Sequence, residues 1–154
     1  MQTTSVSVDR LADHLMHFFL NVIKGEQDTL LQVIADLELT IPQMRGMFIL
    51  GGSEEGLTLT ELAPRMGLSI AAGGRAIDGL ARLDLVSRHE DSHDRRVKRL
   101  AVTEAGRDAL ARIAQARRED MRRYAATLGE RERAVLADAL ETVFAAAGDQ
   151  EAPR

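Results

Sequence analysis

Ala71-Ala72-Gly73-Gly74-Arg75 sets two glycines ahead of a cation, the composition of a loop that could cradle a phosphate. A nucleotide-binding loop of that kind needs four residues between its glycines, then Gly-Lys-Ser/Thr, following a buried strand. Here no Lys follows the glycines and no strand pattern precedes them. Apolar residues instead run on to Leu80 and Leu83 at helical spacing. The stretch reads as a helix that carries its glycines at a cost of about 1 kcal/mol each relative to Ala, for the sake of a closely approaching neighbour.

Other residues capable of chemistry are sparser. Glu54 and Glu55 are adjacent carboxylates in an exposed turn with no base near them, and read as solvated. His14 and His17, three apart on a helix, could share a metal ion, and His89 and His93 fall in a later polar stretch. With no third ligand close in sequence and no Cys in the chain, a polar patch or a pH-sensitive contact is the preferred reading. Neither metal nor cofactor is expected. No nucleophile stands at a recognisable spacing from a base, so catalysis is not expected either. The densest charge is Arg95, Arg96, Lys98 and Arg99 beside Asp94. Arginine inserted into a narrow minor groove reads its negative potential and width. An adjacent Asp can hold such an Arg by a charge-assisted hydrogen bond.

Composition bounds the elements that position these groups. A chain of 154 residues with 45% hydrophobic content is one domain with ample core, or one domain with an oligomerisation element. Aromatics make up only 3%, with Tyr124 the sole Tyr and no Trp, which disfavours a single-strand binder built on stacked bases. The absence of Cys excludes disulfides, thiolate metal sites and thiol redox sensing. There is no run of eighteen apolar residues and no signal-like segment, so a soluble, cytoplasmic protein is expected. The net charge is −4, but it is unevenly spread. Residues 65–100 hold eight Lys/Arg against five Asp/Glu, a local +3, whereas residues 28–64 hold one Arg against six acids, a local −5.

Along the chain, Val8, Leu11, Leu15, Phe18 and Val22 form an amphipathic stripe that resumes at Leu30, Val33, Ile34 and Leu37. One long helix, or a pair broken near Gly25, is expected over residues 7–38. Thr40 and Pro42 start the next helix and Gly51-Gly52 ends it. Thr58 and Glu61 form a capping box for a short helix that Pro64 should bend or shorten, with Gly67 at its end. Ser69 caps another helix three residues later, which makes the pair a helix-turn-helix. "LVSRHE" and "RVKRLAV" then read as a hairpin with a charged tip. Thr103 caps a helix running to about Tyr124, and a last helix follows Leu128-Gly129. Arg117, Arg118, Arg122 and Arg123, interleaved with Glu119 and Asp120, read as a solvated face with local ion pairs. Residues 1–6 and 148–154 are expected to be disordered. The fold class is therefore mainly α with a small β-wing, a winged helix-turn-helix joined to further helices.

At about 100° per residue from Ile70, one side of the helix after the turn carries Ile70, Ile77, Leu80 and Ala81, with Gly73 and Gly74 beside them. The opposite side carries Ala71, Ala72, Arg75, Gly79 and Arg82. A helix fits the major groove, where Arg grips guanine bidentately and small apolar groups meet the thymine methyl. Arg75 is the expected base contact, Ala71 and Ala72 apolar contacts, Ser69 a phosphate contact or cap, and Arg82 part of the same outward face.

"LTLTELAPRMGLS", "LARLDLVSR" and "DRRVKRLAVTEAGRDAL" together resemble the MarR family of winged-helix transcription regulators over roughly residues 8–147. The wing pattern of that family, Asp-x-Arg and later Leu-Thr-x-x-Gly, falls on Asp94, Arg96, Val102, Thr103 and Gly106. The resemblance implies a homodimer on palindromic double-stranded DNA, with residues 7–38 and 103–147 as the dimerisation region and 40–102 as the DNA-binding domain. It implies that Arg96 enters the minor groove, Asp94 orients it and Arg95 lies beside the phosphates, with Lys98 in the same wing. It also implies release from DNA by a small anionic or aromatic effector, for which His17, Phe18, Met44, Met47 and Phe48 are candidate lining residues. The chain departs from the pattern in two places. Ala71, Ala72, Gly73 and Gly74 stand where Ser/Thr is usual, and Asp84 stands where Gly usually precedes Leu-Val. A homodimeric repressor relieved by a ligand is the reading that follows. Its alternative is a dimeric ligand-sensing or protein-interaction module whose winged helix no longer binds DNA. Recovery of a consensus from random duplexes separates the two.

Overall fold

Helix starts in this chain are set by side-chain caps, and the computed structural model, which describes residues 6–23, 29–91, 94 and 96–146, resolves three of them in detail. Thr40 and Gln43 reciprocally cap the helix Ile41–Gly51, Thr58 and Glu61 cap Leu59–Arg65, and Ser69 accepts from Ala72 N at 3.2 Å to start Ile70–Arg82. The order is α1 (Val8–Ile23), α2 (Thr29–Asp36), α3 (Ile41–Gly51), β1 (Leu57–Thr58), α4 (Leu59–Arg65), α5 (Ile70–Arg82), β2 (Val86–Glu90), β3 (Lys98–Val102), α6 (Glu104–Thr127) and α7 (Glu130–Ala146). The first two helices are the broken pair, with Gly25 outside the described residues. His93, Arg95 and the chain ends 1–5 and 147–154 also lie outside them.

The strands form one antiparallel sheet in the order β1-β3-β2, with Leu57 opposite Leu100 and Val86 opposite Val102. The two-residue β1 was not foreseen. Its residues open the capping box of α4, and the helix signal at Thr58 hides the strand that ends on it.

Contacts divide the chain into two units. Unit 2, residues 29–117, has a continuous core in which Met47, Leu50, Leu62, Met66, Ile77 and Leu80 are fully buried. Leu57, Val86, Leu100 and Val102 from the sheet and Ala109, Ile113 and Ala116 from α6 complete it. α4 is only seven residues long and contains Pro64, the shortening expected of it.

Unit 1 comprises residues 1–28 and 118–154. Phe18 packs edge-to-face on Tyr124 with ring centroids 5.1 Å apart, and Val22 is buried. The remainder of the α1 stripe is open to solvent, as are Val135, Leu140, Val143 and Phe144 on α7, which has no buried residue. The reading of residues 117–123 as a solvated face is corrected: Asp120 is 7% exposed and pairs with Arg123, and Arg117, Glu119 and Arg123 are half-buried. A carboxylate facing inward at three residues' spacing from its Arg is indistinguishable in sequence from a surface pair.

Candidate nucleic-acid interface

The turn between α4 and α5 is built by residues chosen for backbone conformation. Gly67 takes φ +69° and ends α4, where Leu68 N donates to Ala63 O at 3.0 Å. The two helices then approach closely. A Cβ added to Gly73 would sit 2.9 Å from the Cβ of Ala63, whereas one on Gly74 would meet Leu59 Cδ2 at an ordinary 3.5 Å. Only the first glycine of the pair is required by packing.

The outward face of α5 is rotated from the sequence reading. Ile70 is 52% exposed and Ala81 is exposed, not inward, while Gly79 is buried where the side-chain amide of Gln43 would strike any added Cβ. The buried set is Gly73, Ala76, Ile77, Gly79 and Leu80. Counting Ile70 as core pulled the computed face toward the wrong side, because an apolar first-turn residue need not belong to the stripe that follows it. Ala71, Arg75 and Arg82 are exposed, Ala72 is half-buried, and Ser69 is the N-cap. Ile70 joins them, a further apolar group of the size that meets a thymine methyl.

Asp78 lies on the same outward face and is ion-paired with Arg88 of β2. Neither residue was singled out from sequence. Opposite charges ten residues apart, spanning the junction from helix to hairpin, were the available signal. The pair ties the wing's first strand to α5 across an exposed surface, where such contacts are worth at most about 1 kcal/mol.

In the hairpin, Glu90 pairs with Lys98 at 2.9 Å across the β2–β3 ladder. Asp94 Oδ1 accepts from the backbone N of Arg96 at 2.9 Å, so the carboxylate fixes the turn through the main chain and not by gripping a guanidinium. Arg96 is exposed, and neither it nor Arg75 or Arg82 makes an ion pair among the described residues. Arg99, grouped with the tip cations in sequence, is instead tied down one ladder pair below the turn, hydrogen-bonded to Asp91 and to Gly56 O. Its hydrogen bond to Asp91, then the charges of Asp91, Glu61 and Glu55, hold its guanidinium above the ordinary value. Thr103 locks the wing to α6: its hydroxyl donates to Asp84 O at 2.6 Å and accepts from Gly106 N at 3.0 Å. Asp84 occupies the left-handed region at φ +57°.

Of the candidate effector residues, Met47 is fully buried in the unit 2 core, while Met44 is half-buried and Phe48 is 50% exposed. In unit 1, His17 is exposed and Phe18 half-buried against Tyr124. Among the described residues no cluster of three or more metal-ligating side chains occurs, and no helix is long and apolar enough to cross a membrane.

A helix-turn-helix followed directly by an antiparallel hairpin, its helix face and hairpin carrying exposed arginines without ion-pair partners among the described residues, defines a winged-helix DNA-binding protein. The sequence model of the MarR family matches residues 39–98, from the start of α3 into β3. Rv1404 of Mycobacterium tuberculosis, 30% identical, superposes with a TM-score of 0.75 over 97% of this chain and 100% of that one. The transcriptional regulator Tm0710 of Thermotoga maritima, 18% identical, gives 0.74 over 90% of this chain and 92% of its own. A mutant of MepR from S. aureus, solved bound to an oligodeoxyribonucleotide, shares the fold at 19% identity and a TM-score of 0.66, over 94% and 100%. No curated protein matches the chain. The chain belongs to the MarR family and is a DNA-binding transcription regulator.

Proposed function

We propose that this regulator is a homodimeric repressor that reads a palindromic operator with α5 in the major groove and Arg96 in the adjacent minor groove. The observation that carries the reading is the free charge of one unit: Arg75 and Arg82 on the exposed face of α5 and Arg96 in the wing, all without ion-pair partners among the described residues. Arg75 is the base contact, Ile70, Ala71 and Ala72 are apolar contacts, and Ser69 lies at the phosphates beside the helix N-terminus. Arg95 and Lys98 add phosphate contacts, Lys98 by exchanging Glu90 for a phosphate. Residues 40–102 serve as the DNA-binding domain.

Dimerisation falls to residues 7–38 and 103–147. The exposed apolar residues of α1 and α7 support it, since each such side chain contributes about 1.5–3 kcal/mol when fully buried. A small anionic or aromatic effector relieves repression. Its candidate contacts are His17 and Phe18 in unit 1 and Met44 and Phe48 in unit 2, all with surface exposed, together with Met47, which is fully buried in unit 2.

Selection of bound duplexes from random DNA tests the mechanism. A two-fold consensus is expected, with affinity falling steeply as salt rises. Arg75→Ala should cost about 1–3 kcal/mol and relax preference at one position of each half-site, whereas Arg96→Ala should weaken binding and reduce the salt slope. Wild-type affinity in both variants would overturn the reading.

A further inference from the structure

The basic residues of the hairpin are not equivalent. Lys98 and Glu90 face each other with about half of each side chain in water. Arg99, the next residue, turns to the opposite face of β3. Its Nε donates to Asp91 Oδ2, and its Nη1 donates to Gly56 O at 3.2 Å. Asp91 is 8% exposed, so its carboxylate is enclosed by protein partners. Its second oxygen accepts from Asp94 N at 3.2 Å. The same turn is closed by Asp91 N donating to Val97 O at 3.0 Å and Val97 N donating to Asp94 O at 2.9 Å. Asp94 Oδ1 then receives Arg96 N.

These bonds form one unbroken line from Gly56, through Arg99, Asp91 and Asp94, to the main chain of Arg96. The line is anchored at a rigid point. Gly56 takes φ +74°, and a Cβ there would lie 2.5 Å from Leu100 O, so its backbone packs too closely on β3 for any other residue. Next to it, Thr58 of β1 pairs with Arg99 itself.

We propose that Arg99 is a positioning residue for DNA recognition: it tethers the wing tip to the β1 edge and, through Asp91 and Asp94, sets the direction in which Arg96 leaves the hairpin. The proposal rests on the reading of Arg96 as a DNA contact. An arginine suits the role because its planar fork donates in two directions at once, to a carboxylate and to a carbonyl; an ammonium on a flexible stem holds both less well. Arg99 therefore adds to the count of positive residues in the wing without adding free charge, since Asp91 neutralises it. The competing role is a direct phosphate contact.

Two measurements decide between them: amide hydrogen exchange in the free protein, and a double-mutant cycle with Arg96→Ala on the duplex recovered from random-DNA selection. In Arg99→Leu the amides of Asp94, Arg96 and Val97 should exchange about tenfold faster or more, while those of α5 keep their rates. Affinity should fall about tenfold when Arg96 is present and by less than about twofold in the Arg96→Ala background. Arg99→Lys, which keeps the charge and the fold, should lie between wild type and Arg99→Leu in both measurements, and it carries the test should the Leu variant not fold. Equal affinity losses in both backgrounds, or tip amides that exchange as in wild type, would overturn the proposal. If the wild-type protein recovers no duplex, the operator reading fails, and the exchange rates alone support or overturn the tether.

Discussion

In unit 2, six large side chains from α3, α4 with its C-cap Met66, and α5 are fully buried, and the sheet closes over them. In unit 1, α7 contributes no buried residue, and Val8, Leu11, Leu15, Met16 and Phe19 of α1 remain more than a third exposed. Both units carry amphipathic helices of ordinary length, so helical periodicity does not separate them. The difference is whether the same chain supplies the covering surface. Unit 2 completes its own core, and unit 1 leaves apolar faces exposed, the faces proposed above to meet a second copy. Stability in the first should answer to local packing, and in the second to protein concentration.

The largest expected effect breaks the second half of that comparison. Replacing Leu15 and Phe144 together by Asp puts two charges on the exposed apolar surface of unit 1. If a second copy covers that surface, each charge must be desolvated, and the pair should weaken association by at least about 3 kcal/mol, over a hundredfold in Kd. Sedimentation velocity across a concentration series reads the change directly. A wild type that stays monomeric at high concentration, or a variant that stays dimeric, removes the proposed role of unit 1.

The glycine pair sharpens the account of unit 2. Gly73→Ala forces a contact of 2.9 Å onto Ala63, and overpacking of that kind costs about 1–3 kcal/mol. Gly74→Ala meets only an ordinary contact at Leu59 and should stabilise α5 by roughly 0.5–1 kcal/mol through helix propensity. Urea titration of both variants gives the two signs. If both destabilise alike, the helices approach closely at both positions and packing requires both glycines. Asp84→Gly should also stabilise, by about 0.5–1 kcal/mol, because φ +57° strains any residue with a Cβ. An unchanged midpoint would mean that the Asp84 side chain offsets the strain.

What could be read from the sequence follows the range of the interactions involved. Thr58–Glu61, Ser69, Gly67 and Thr103 act within three or four residues, and each cap is where its spacing put it. The winged-helix order followed from those caps. The rotation of α5 did not, because Gly79 is buried by Gln43, thirty-six residues earlier, and the apolar Ile70 is left outside. Arg99 was similarly opaque: its carbonyl partner is Gly56, forty-three residues away. Which cations are free depends on pairing within and beside the hairpin, Arg88 on Asp78, Lys98 on Glu90 and Arg99 on Asp91, and strand register sets those pairs.

The smallest effect tests how unit 2 holds the helix that leads into the turn. α3 and α4 begin with the same device, a Thr N-cap answered three residues on, but Gln43 supplies the answering group in one and Glu61 in the other. In α4, the Thr58 N–H and then the Thr58 hydroxyl bind the carboxylate, with help from the charges of Arg99 and Arg65, and hold Glu61 below its ordinary pKa. A carboxylate depressed on folding adds stability that is fully present above its unfolded pKa and is lost as pH falls through the folded value. Acidification from about pH 6 to about pH 3 should therefore lower the thermal midpoint of the wild type more than that of Glu61→Gln, which converts the α4 cap into the uncharged form already present in α3. The wild type should be the more stable of the two near neutrality, and the curves should converge at the acid end. Parallel curves across that range would show that the Glu61 charge contributes nothing and that the α4 cap, like that of α3, works by hydrogen bonding alone.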